Sequence, residues 1–400
     1  MQTIRDSRAR LGRLAALLAL GLAAAGYAES PPPSPAPALP APVPQSPGTT
    51  QMTQEQVIER LGGGLKSIQD KMRDRATNKM VFSANLFYAH EGMIKHVPAD
   101  VLALYADALK EAGATRVDMN MGFYPWLDED AAVIAKYDDL IKHVRGLGLQ
   151  LALNPQISTR QRQFKTFAEV REAVLKVWPR IAERYQPDIF VVLHEPTTMA
   201  GRLGMEVTPR EWCDFVRDVG AAVRKVAPKA RLGAGFLGHE EKYFTPMLAL
   251  RELDCVSFDI YDIRTLTAIN AMIPRAREAG KAVYLEETWR SPVYTAKEGV
   301  RPTLDTISCT GVGLAAFENL DAAWLEALAM YASGWQLEAF TPFWTPAFFK
   351  YVPTGGDATD PAYLAAVVDA LRKKERTRSF AAYKALAEKY GRAAEGKAGQ

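Results

Sequence analysis

The sequence is poor in the residues that staple or metallate small domains, with three cysteines and five histidines in 400 residues. Cys213, Cys255 and Cys309 are an odd number without metal-type spacing, so one disulfide is the most they can form and a disulfide framework is excluded. No two histidines stand as His-x-His, which argues against the histidine-bound zinc or iron centres of some barrel enzymes, and no metal is expected. Excess charge of one sign is also lacking. The formal +3 comes from Arg5, Arg8, Arg10 and Arg13 against Asp6; beyond residue 28 the signs balance, so neither nucleic acid nor an anionic membrane is expected as a partner. The longest uninterrupted apolar run, residues 14–26, is too short to span a bilayer as a stable helix.

What is present describes an exported globular chain. Hydrophobic residues make up 48% and charged residues 24%, the balance of an ordinary folded domain. A basic stretch, the apolar run and small residues to Ala28 predict a signal peptide over 1–28, and no cysteine follows to make a lipoprotein. Residues 29–50, containing SPPPSPAPALPAPVPQSPG, read as a Pro-rich disordered linker. The folded domain is expected over 51–392, with a lead-in helix from Thr53 to about Arg75 and a frayed tail over 393–400. Secretion or a periplasmic location follows, with no transmembrane helix after cleavage and a monomer as the expected state.

Eight strand-like runs fill that domain: 80–87, 115–120, 149–154, 188–194, 231–236, 255–261, 282–288 and 336–344. Amphipathic helical stretches alternate with them, and the last is expected to run from about Pro361 toward Tyr390. Gly113, Gly148, Gly280 and Gly334 stand at helix ends directly before a strand, where a left-handed residue ends a helix. Eight strand-then-helix repeats without a second domain predict an α/β fold, a (β/α)8 TIM barrel. The rival, a doubly wound open sheet, normally has a glycine-rich phosphate loop after its first strand; here that segment is YAHEGM.

In such barrels chemistry gathers at the C-terminal strand ends. Asn85 and Tyr88, Asn120, Asn154, then His194 with Glu195, His239, Asp259 with Tyr261, Glu286 with Glu287, and Trp344 occupy those ends. Glu195 and Glu287 thus face one mouth from strands 4 and 7, and two carboxylates across a cleft are the apparatus of glycoside hydrolysis. The apolar run before Glu195 is expected to raise its pKa, as an acid needs, leaving Glu287 as the charged member. Strict alternation lets only one of Glu286 and Glu287 face the pocket, and Glu286 is assigned outward, to a salt bridge. Asp259 is a candidate to pair with Arg116 or another base.

The strand 4 end VVLHEPT and the strand 7 end KAVYLEETWRS together resemble the Asn-Glu-Pro and Glu-Thr-Gly-Trp motifs of glycoside hydrolase clan A. The resemblance implies a (β/α)8 fold, a retaining double displacement, Glu195 as acid/base, Glu287 as nucleophile, no cofactor and a carbohydrate substrate. By the same likeness Tyr261 is the aromatic that hydrogen-bonds the nucleophile, Trp344 the tryptophan flooring a sugar subsite and Arg116 the strand 2 arginine near the nucleophile. His194 replaces an asparagine that binds the substrate 2-hydroxyl. Asn154, Asn85 and Trp289 complete the expected substrate-binding set, and residues 290–320 are expected to form a lid or subsite wall. The expected activity is cleavage of a β-linked glycan or glycoconjugate; the alternative is a noncatalytic glycan-binding barrel of the cell envelope.

Overall fold

The computed structural model describes residues 54–157, 164–289, 313–352 and 361–392. The expected signal peptide, linker, frayed tail, Cys309 and residues 290–312 of the expected lid lie outside them. Eight parallel strands close a barrel in chain order: β1 Val81–Asn85, β2 Arg116–Gly122, β3 Gln150–Gln156, β4 Ile189–His194, β5 Arg231–Leu237, β6 Cys255–Ile260, β7 Ala282–Thr288 and β8 Ala339–Pro342. Helices between strands cover the outside, and none among the described residues is long and apolar enough to cross a membrane.

The helices start and stop for local reasons. In Pro209–Val226, Thr208 and Glu211 form a reciprocal capping box and proline occupies the first turn, which satisfies amide groups that a helix start leaves free. Gly113, Gly148 and Gly280 take positive φ at the joints, as expected. Gly334 does not. It ends the helix Leu314–Gly334, and the left-handed residue is Gln336. A Cβ at Gly334 would lie 2.7 Å from Met72 Sδ, so this glycine serves close packing against the lead-in helix Gln54–Met72. The expected single terminal helix is two, Pro361–Arg372 and Arg378–Tyr390, divided where Lys374 turns left-handed and Thr377 caps the second.

Two hydrophobic clusters result. The larger lies between sheet and helices. The smaller, Ala152, Ile189, Val191, Cys255, Tyr284 and Ala339, fills the barrel floor. Cys213 and Cys255 are free and buried. Two bulges interrupt the ladders above that floor. Val191 pairs with Gly233 but Leu193 with Ala234, leaving Val192 extra in β4; Phe258 pairs with Leu285 but Asp259 with Glu287, leaving Glu286 extra in β7. A bulge reverses the in-out phase of the strand beyond it. His194 therefore turns inward although Ile189 and Val191 below it also do, and Glu287 turns inward above Tyr284.

Candidate active site

The barrel mouth is built around Glu287. Tyr261 OH donates to its Oε2, Asn120 Nδ2 donates to its Oε1 at 3.0 Å, and His194 Nε2 lies 3.7 Å from Oε1. Asp259 Oδ1 accepts the Glu287 backbone N–H at 3.1 Å, tying the strand end to β6. Burial raises the Glu287 pKa and the Glu195 charge adds to that, while His194, Tyr261 and Asn120 favour the carboxylate. The balance leaves its pKa raised, so the charge expected on Glu287 is disfavoured by burial and only partly restored by three neighbours.

Glu195 sits opposite, at the end of β4. Its backbone is left-handed (φ 45°), a conformation that costs a non-glycine residue about 1 kcal/mol or more and that recurs where strand-to-helix turns present functional side chains. Three contacts hold the turn: Glu195 N–H donates to Gly235 O at 3.0 Å, Pro196 opens the next helix, and buried Glu240 accepts from Thr197 N at 2.7 Å and Leu237 N at 2.8 Å. The Glu195 carboxylate makes no hydrogen bond or ion pair among the described residues, and its charge bears on Glu287, Asp259 and Tyr261.

His194 differs from its expected role. Its Nε2 lies 3.0 Å from Asp259 Oδ2, so it is turned to the carboxylates rather than held for a sugar hydroxyl, and Asp259 pairs with His194 rather than with Arg116. At the other ring nitrogen, Gln156 Nε2 stands 3.3 Å from Nδ1, and Arg202 Nη1 fixes that amide by donating to Gln156 Oε1 at 2.8 Å. Burial opposes a charge on the ring, but Asp259, Glu287 and Glu286 outweigh it and raise the His194 pKa well above its usual value. The carboxylates favour the imidazolium and the amide nitrogen at Nδ1 favours the neutral ring; both arrangements keep a proton on Nε2. His194, Asp259 and Glu286 present ligand atoms within 4.8 Å of one another, a set a divalent cation could use. A metal on Nε2 would put the remaining ring proton opposite the Gln156 amide N–H, so the hydrogen-bond order favours a proton there.

Glu286 is not turned outward to a salt bridge as expected. Two residues after inward Tyr284, it faces inward by alternation, and the bulge brings Glu287 in beside it; Glu286 accepts from Ser257 Oγ and, at 3.4 Å, from Asn154 Nδ2. Burial raises its pKa to about 7; His194 and Ser257 oppose this, while Asp118 and Glu287 add to it. A carboxyl whose folded-state pKa is raised stabilises the fold below its unfolded pKa and loses that contribution as pH rises through the folded value. Ionised Glu286 therefore costs on the order of 3 kcal/mol above neutral pH. Glu286→Gln is expected to flatten the fall in thermal stability between pH 5 and pH 8; an unchanged fall would show that another group carries it.

The remaining candidates divide. Asn85 Nδ2 donates to Asn120 Oδ1 at 3.4 Å and steadies the residue that holds Glu287. Asn154 keeps a buried Oδ1 without a partner. Trp344 is half-buried, with its ring 5.1 Å from that of Phe87 and 4.9 Å from that of Phe343. Arg116 lies one layer too low: it pairs with Asp118 at 3.4 Å, donates to Ser83 Oγ at 3.2 Å and stacks over Tyr284, while Asn120, two residues on, reaches Glu287. Trp289 is fully buried, 5.3 Å from Phe348, and is a packing residue rather than a sugar contact. Gln156, Arg202 and Glu240 went unnoticed in the sequence because each acts from a helix or strand end through another residue.

No protein-family model matches this sequence, and no curated protein does. Solved structures do. GH5_18 from Streptomyces cattleya in complex with GlcNAc superposes with a TM-score of 0.52 at 11% identity, over 78% of this chain and 81% of that one. An exo-β-1,4-mannosidase from Opitutaceae bacterium strain TAV5 superposes with a TM-score of 0.52 at 14% identity, over 79% of this chain and 60% of that one. The chain shares its fold with glycoside hydrolases. At these identities the likeness is one of fold, and the chemistry rests on this chain's own mouth.

Proposed function

We propose that this chain is an exported retaining glycoside hydrolase that cleaves a β-linked glycan or glycoconjugate as a monomer. The observation that carries the reading is the unequal treatment of two carboxylates at one barrel mouth: Glu287 is held by Tyr261, Asn120 and His194, whereas Glu195 is left uncommitted. A fixed, hydrogen-bonded carboxylate suits a nucleophile that must attack along one line, and a free one suits an acid that must reach a leaving oxygen. Protonated Glu195 donates to the glycosidic oxygen while Glu287 attacks the anomeric carbon and forms a glycosyl-enzyme. Glu195, now a carboxylate, takes a proton from water, which displaces Glu287 and restores the starting configuration. Tyr261 and Asn120 hold the departing nucleophile's oxygens through both steps. The basic, apolar N-terminus supports export.

The test is hydrolysis of aryl β-glycosides and β-glucans, with proton NMR of the first sugar released. Release of the β-anomer before mutarotation is expected. First release of the α-anomer would replace the nucleophile with an inverting base, and tight glycan binding without turnover would make this a binding barrel.

A further inference from the structure

The barrel mouth carries a cation that no carboxylate answers among the described residues. Arg202 is half-buried in the helix Pro196–Leu203, which begins directly after Glu195, and its Nη1 donates to Gln156 Oε1. Half-buried arginines elsewhere are paired: Arg145 with Asp188 at 2.5 Å, Arg224 with Asp254 at 2.7 Å and Arg231 with Glu338 at 2.7 Å. Arg202 forms no ion pair among the described residues. Among the described residues its hydrogen bond uses Nη1, and its Nε and Nη2 donors have no partner there. That planar edge matches a carboxylate bidentately.

A second donor stands nearby on the β1 side. His90 follows the short turn Phe87–Ala89, and its Nδ1 accepts from Gly92 N at 3.4 Å, which puts the ring proton on Nε2. Burial and then the Arg202 charge depress its pKa to about 4, so it is a neutral donor at working pH. A neutral sugar offers hydroxyls, which answer a half-buried guanidinium poorly. A carboxylate on the sugar answers it fully.

We propose that the substrate is an acidic glycan, whose hexuronate carboxylate is received by Arg202 with His90 as the accessory donor. The proposal rests on the glycosidase reading and adds the substrate class to it. Gln156 then has two tasks, since the side chain that orients His194 also aims Arg202.

The test is calorimetric titration of the Glu287→Gln protein with matched β-1,4-linked oligosaccharides that are neutral, uronate-bearing or sulfated. A uronate oligomer is expected to bind at least about tenfold more tightly than its neutral counterpart, and Arg202→Met to weaken the uronate by at least about tenfold more than the neutral. Arg202→Lys should restore part of the difference, as a point charge without the planar edge. Preference for the neutral oligomer, equal losses in Arg202→Met, or tightest binding of the sulfated oligomer would overturn the proposal. Hydrolysis of neutral aryl glycosides by the wild-type protein separates the two levels. Turnover without acidic preference leaves the enzyme standing and removes this inference; absence of both turnover and binding removes both.

Discussion

Glu287→Gln is expected to lower kcat/KM by at least about 10³-fold, on the order of 4 kcal/mol of transition-state stabilisation, while the protein folds as well as before or better. The amide keeps the shape of the carboxylate and still offers Tyr261 an acceptor, but it cannot form the glycosyl-enzyme. Stability should not fall, because burial and the Glu195 charge both raise the Glu287 pKa and so mark its charge as a cost to the fold. Kinetics on any accepted substrate, run beside thermal unfolding, check both halves. Activity within tenfold of wild type would remove Glu287 from the reaction, and a collapse of the fold would give it a structural role instead.

Gly235→Ala should be nearly as damaging, although glycine has no side chain to lose. A Cβ there would lie 2.5 Å from His194 Cδ2, 3.1 Å from Ser257 Oγ and 3.2 Å from Glu286 Oε2. The imidazole must move, and with it the Nε2 aimed at Asp259 and Glu287. Overpacking of this kind costs about 1–3 kcal/mol, and a displacement near 1 Å beside a nucleophile costs about 10²-fold in rate. Gly233→Ala, one inward step lower, is the control: its Cβ would meet Cys255 Sγ at 3.0 Å, away from the carboxylates. Stability should drop in both variants and activity mainly in the first. Full activity in Gly235→Ala would mean that His194 does not position Glu287.

These two positions mark what was legible in the sequence. The strands were readable because each is a short run rich in apolar residues set between amphipathic helical stretches, and β7 falls on residues 282–288 as expected. Glu195 and Glu287 were readable because they stand at strand ends beside Pro196 and Thr288. The inward place of Glu286 was not: it follows Tyr284 by alternation, and only a bulge, which nothing in LEET announces, lets Glu287 face the pocket beside it. Likeness favours Arg116 over Asn120, but depth in the barrel decides which strand 2 side chain meets Glu287, and depth depends on stagger between strands. His194 lies at the barrel mouth, where its place at a strand end puts it, whereas its pairing with Asp259 depends on the β4 bulge and on the room left by Gly235. Gly334 was misread because helix termination and close helix packing call for the same residue.

The two bulges divide the barrel interior into separate reading frames. Below them, Val191 and Tyr284 belong to a floor whose phase is set by the strand starts; above them, His194 and Glu287 obey a phase shifted by one residue. Floor and mouth can consequently drift apart in evolution. The floor can exchange one apolar residue for another without changing which side chains face the substrate, and the mouth can be rewritten without unsettling the packing beneath it.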